Sequence, residues 1–191
     1  SIELGAGGSV FDTGTLIFNS TGAVSINEDT NAGINGPSSA DGGLSLLGGG
    51  FTLISDDPDS PNDVISDTTA VTLSNPATLS LNGNPETIAS LAGDGNLDLT
   101  TVVLTVENAT TTAYNGVISD GGAGNGLVKN GVGQFNLGGA NTYSGPTTVN
   151  AGELWLFNNS ALGTAAGNTV VAAGAAIYLT NTITIATEPL D

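Results

Sequence analysis

Short alternations of apolar and polar residues run along the whole chain. Residues 15–18, 51–54, 77–81, 96–99, 103–106, 134–137, 153–156, 176–179 and 183–185 each place apolar side chains at i and i+2. A period of two marks a strand buried on one face. Gly, Asn and Asp cluster between these segments, where turns need a positive φ or a side chain that bonds its own backbone. No window sets Leu among Glu, Lys, Arg or Gln at helical spacing. The pattern predicts an all-β chain.

The strands also recur. Leu81, Leu99, Val117, Leu137, Leu156 and Leu179 are comparable apolar positions, separated by 18, 18, 20, 19 and 23 residues. Recurrence near that interval suggests the coils of a parallel β-helix, or β-solenoid, each burying its apolar side against the last. A β-sandwich, with strands every 8–12 residues, is the alternative. Residues 1–70 are less regular and carry 10 of the 18 acidic residues, with expected loops at 27–31 and 56–63. They are read as first coils or a cap, and residues 71–191 as the regular coils.

Composition narrows the function. One Lys, no Arg and no His stand against 18 acids, for a formal net charge of −17. Nucleic-acid binding needs cations to displace counterions from phosphates, so it is not expected. Anionic membranes are excluded on the same ground, and no apolar run is long enough to span a bilayer. Without Cys or His there is no disulfide, no thiolate or imidazole metal site, and no Ser-His or Cys-His nucleophile. Paired carboxylates alone lack the cations that polysaccharide-cleaving sites use, so the chain is not expected to be an enzyme. It opens on Ser1, which is read as a processed product or an excised piece.

Residues 126–154, GLVKNGVGQFNLGGANTYSGPTTVNAGEL, are the most specific stretch. Gly126, Leu127, Lys129, Gly131 and Gly133 lead into Phe135 and Leu137. Gly139, Asn141, Thr142, Tyr143, Gly145 and Thr147 follow, closed by Ala151, Gly152 and Leu154. In this spacing the stretch resembles the autotransporter-associated β-strand repeat, also called the passenger-associated transport repeat. Gln134 and Phe135 stand where Thr-Leu is usual, and Pro146 where Gly is common. The resemblance implies a right-handed parallel β-helix on the outside of a bacterium, serving secretion and stable stacking. Residues 189–191 are not the aromatic terminus of the translocator barrel that accompanies such repeats, so any barrel is expected outside them.

Candidate chemistry is sparse. Asp57, Asp59 and Asp63, with Asp56, Asn62 and Asp67 nearby, offer hard oxygens for calcium on a loop stiffened by two prolines. A plain solvated acidic loop is the alternative. Tyr143, Trp155 and Tyr178 are candidate contacts to a surface glycan, with Tyr143 otherwise expected to pack at a corner. Asn19, Asn108 and Asn158 head Asn-x-Ser/Thr triplets, which chance supplies in so Asn- and Thr-rich a chain. Residues 1–4 and 183–186 are expected as edge strands, through which copies join end to end or exchange strands into a homo-oligomer or filament. The expected function is a non-enzymatic extracellular scaffold, with an adhesin stalk or a carbohydrate-binding module as alternatives.

Overall fold

In the computed structural model the described residues are 2–4, 15–35, 38–54, 64–180, 182–185 and 188–189; at 2–4, 15, 28–31, 35 and 54 only the backbone is described. The first coil holds β1 (Ile2–Leu4), β2 (Thr15–Leu16) and β3 (Asn19–Ser20). The second holds β4 (Val24–Asn35) and β5 (Ser39–Ala40), and the third β6 (Leu44–Ile54). The next holds β7 (Ala70–Ser74), β8 (Thr78–Ser80) and β9 (Glu86–Ile88). It is followed by β10 (Ser90–Gly93), β11 (Asn96–Asp98) and β12 (Leu104–Val106). Then come β13 (Thr112–Tyr114), β14 (Ile118–Ser119) and β15 (Leu127–Lys129). The last coils carry β16 (Gln134–Leu137) and β17 (Thr147–Val149), β18 (Glu153–Leu156) and β19 (Thr169–Val171), and finally β20 (Ala176–Leu179).

Every strand pairing among the described residues is parallel, and each strand bonds to its equivalent one coil away. That rules out the β-sandwich, whose sheets are antiparallel. The chain is a β-solenoid with three faces. Face 1 stacks β1, the first half of β4, the first half of β6, then β7, β10, β13, β16, β18 and β20. Face 2 stacks β2, the second halves of β4 and β6, then β8, β11 and β14. Face 3 carries β3 with β5, and separately β9, β12, β15, β17 and β19.

Alternation turns one set of side chains into the tube. On face 1 Leu73, Tyr114, Leu137 and Leu156 lie in one register column, with Gly93 between the first two. On face 2 Leu79, Leu97 and Ile118 do the same, and all of these side chains are buried. The six positions spaced by 18 to 23 residues are therefore not one column. Leu137, Leu156 and Leu179 belong to face 1, whereas Leu81 and Leu99 follow face 2 and Val117 precedes the buried Ile118. Equal spacing misleads here because loops of different length sit at the corners.

Two expected loops and edges also differ. Residues 27–31 lie within β4, where the pairing to β6 shifts register between Glu28 and Asn31. Residues 183–185 are not a strand and residue 186 is outside the described set; the last strand of face 1 is β20.

Corners need close backbone approach. A Cβ on Gly116 would stand 1.6 Å from the Gly95 carbonyl oxygen, and one on Gly139 would stand 1.9 Å from that of Gly116. Gly95, Gly116 and Gly139 thus form a column between faces 1 and 2, with no room for a side chain.

Candidate functional site

The repeat-like stretch places its polar residues inside the tube. Lys129, inward-facing at the end of β15, is fully buried. Its ammonium donates to the carbonyls of Asn130 (2.7 Å), Gly131 (2.8 Å) and Ala151 (3.1 Å). These carbonyls belong to its own corner and to the same corner one coil later. Burial pushes the Lys129 pKa below its ordinary value, and the nearby Glu107 charge opposes that shift. Three donors meet three acceptors, so the hydrogen-bonding capacity of the ammonium is fully used.

Asn141 does for face 2 what Lys129 does for the corner. Its Oδ1 accepts from the Ile118 N–H (2.9 Å) and its Nδ2 donates to the Ala161 carbonyl (2.6 Å). A carboxamide has one acceptor and a donor, as a peptide group does, so the side chain continues the ladder beyond β14. Tyr143 is fully buried, with its hydroxyl 2.6 Å from the Thr147 hydroxyl. Burial drives the Tyr143 pKa up, the Thr147 hydrogen bond opposes the shift, and Glu188 adds to it. Tyr143 is therefore core, and a sugar-contacting role for it is excluded by its burial.

Two buried carboxylates belong to no motif read from the sequence. Asp120 accepts from the N–H groups of Gly122, Gly124 and Asn125 and from the Ser144 hydroxyl, at 2.8–2.9 Å. Burial alone would raise its pKa; the bonds from Ser144, Asn125 and Gly122 outweigh it and hold the value at about 2. Glu86 accepts from the Val64 and Ile65 N–H groups, both at 3.0 Å, bridging a gap in face 3 where no strand pairing runs. Both carboxylates close loops onto neighbouring coils. The only available hint was their proximity to glycine- and proline-rich turns.

Asp57, Asp59 and Asp63, the expected calcium ligands, lie outside the described residues. Their neighbour Asp67 is exposed. In the acidic stretch 94–98, Asp94 accepts from the Asn75 N–H and Asp98 from the Thr100 N–H, which makes both turn-forming groups. No cluster of three Asp or Glu suited to a metal occurs among the described residues. Asn108 is buried, its amide donating to the Thr110 and Gln134 carbonyls, so it is closed to glycosylation.

Outside the tube, Trp155 and Tyr178 stack with ring centroids 4.7 Å apart and planes at 28°. They occupy outward, register-matched positions on β18 and β20.

Residues 127–156 match the family model described as the passenger-associated-transport-repeat. The match starts one residue after Gly126 and takes in Lys129 and Asn141, whose side chains tie coil to coil, and the buried Tyr143. Comparison with curated proteins and with solved structures finds no match.

Proposed function

We propose that this chain is a non-enzymatic structural module of the autotransporter-passenger type, carried at or beyond the surface of a bacterium, in which stacked coils form stalk or fibre material. One observation carries the reading: the polar side chains of the repeat are buried and bonded inside the stack. Lys129 reaches Ala151 and Asn141 reaches Ile118 and Ala161 on neighbouring coils, while Tyr143 bonds Thr147 within its own coil. They hold a column together and present no reactive group to solvent.

The finer part of the proposal is self-association of copies along the coil axis. Face 1 begins with β1 and ends with β20, and both have an unpaired edge among the described residues. Beside β20 a groove of about 620 Å³ opens onto Leu156, Leu162, Val171, Ile177 and Ile185, with Leu179 about half exposed. A parallel edge with apolar side chains at alternate positions suits the addition of another coil. Such a head-to-tail contact does not close on itself and grows a filament.

Negative-stain electron microscopy with sedimentation velocity of the 191-residue chain tests this. Particles of constant width whose length grows with concentration are expected. Uniform monomers across concentration, at high ionic strength and with added calcium, would overturn self-association and leave the stalk reading.

A further inference from the structure

We infer that the outside of face 1 carries a binding groove for a neutral polysaccharide, laid along the coil axis. The groove, of about 640 Å³, crosses four successive coils at the corner leading into face 1. Gly133, Gly152 and Gly174 bring bare backbone to it, and Gln134, Glu153 and Tyr178 line it. At about 4.8 Å per coil it runs roughly 14 Å, long enough for a few sugar rings of an extended chain.

The side chains around it are held ready. Trp155 Nε1 donates to Glu153 Oε2 at 2.8 Å, and Gln134 Nε2 donates to Asn136 Oδ1 at 2.7 Å. The first bond fixes the Glu153 carboxylate and the second the Gln134 carboxamide, and among the described residues Glu153 Oε1 and Gln134 Oε1 have no hydrogen bond. Beside them Tyr178 is 42% exposed, backed by the Trp155 ring. A rigid aromatic surface next to free oxygen acceptors matches the two halves of a pyranose. Its C–H face stacks on the ring, and its hydroxyls donate to the carboxylate and the carboxamide.

Charge selects the polymer. The formal net charge is −17 and Lys129, the single basic side chain, is buried against backbone carbonyls, so no basic side chain is free to pair with a uronate or sulfate group. Glu153 would repel such groups at the site itself. A neutral glycan escapes both penalties. A peptide adding as a strand would need a free sheet edge, and the groove crosses the sheet at right angles to its strands.

The test is affinity electrophoresis of the full chain in native gels containing hydroxyethyl cellulose, glucomannan or amylose, with polygalacturonate as an anionic comparison. Retardation by at least one neutral polymer and none by polygalacturonate is expected. Tyr178→Ala and Glu153→Ala each weaken it at least tenfold, Tyr178→Phe keeps most of it, and Ser119→Ala on face 2 leaves it unchanged. Circular dichroism melts confirm that each variant is folded. The inference is overturned if no neutral polymer retards the chain, if only polygalacturonate does, or if retardation survives Tyr178→Ala and Glu153→Ala.

Discussion

Lys129 is the single basic residue of the chain, and it never reaches solvent. Its role follows from geometry: three carbonyls converge at one corner, and an ammonium is the side chain with three rotatable donors on a flexible stem. Lys129→Met keeps the stem and removes the donors, so it should destabilise the fold by about 2–4 kcal/mol in urea titrations. Arginine is not equivalent there, because its donors lie in one rigid plane and cannot turn toward three converging carbonyls as an ammonium does. Asp120 gives the residue-scale pH prediction. Its pKa is depressed from 3.8 to about 2, so its contribution is present above 3.8 and is lost as pH falls toward 2. Melting temperatures of wild type should drop more steeply over that interval than those of Asp120→Asn, which lacks the titrating group. Parallel pH profiles would show that the Asp120 carboxylate does not stabilise the loop.

At the scale of elements, the strands were legible and the links between them were not. Residues 134–137 and 153–156 read as half-buried strands and are β16 and β18, paired in register from Gln134↔Glu153 to Leu137↔Leu156. Asn141 was legible only as one position of the repeat-like stretch. Its function as a side-chain rung between Ile118 and Ala161 depends on two segments about 20 residues away on either side. Asn141→Leu, of similar size, leaves the Ile118 N–H and the Ala161 carbonyl unpaired and should cost about 2–3 kcal/mol by equilibrium unfolding. The corner glycines make a sharper contrast. Gly116→Ala drives a methyl group into the Gly95 carbonyl and should cost more than about 3 kcal/mol or prevent folding. Gly122→Ala meets nothing within 4 Å and bears only the strain of φ +81°, about 1 kcal/mol. Equal losses for the two variants would mean that the coils are not in close contact at that corner.

For the whole molecule, charge and shape act against each other. A chain of net charge −17 repels its own copies, while the open end beside β20 exposes Leu179 and an apolar groove. Screening shortens the repulsion to about 10 Å at 0.1 M salt and about 3 Å at 1 M, whereas the hydrophobic contribution persists. Association measured by sedimentation should therefore strengthen as salt rises. Leu179→Asp should abolish it at every ionic strength while leaving the monomer's circular dichroism spectrum unchanged. Association that weakens with salt would point to ion pairs and away from stacked coil ends.

What the sequence determined by itself was the local order: period-two strands, glycine corners, a repeat-like stretch, and a composition that leaves few kinds of chemistry open. These are properties of neighbouring residues, and neighbours are what a linear reading sees. The tertiary structure decided the columns. It placed Leu137 under Leu156 but set Leu81 and Leu99 on another face, buried Tyr143 while leaving Tyr178 outside, and turned Asp120 and Glu86 into loop fasteners. Each of those outcomes depends on loop lengths that rotate one coil relative to the next. A difference of a few residues at a corner decides which side chains meet across the stack, and no local pattern records it.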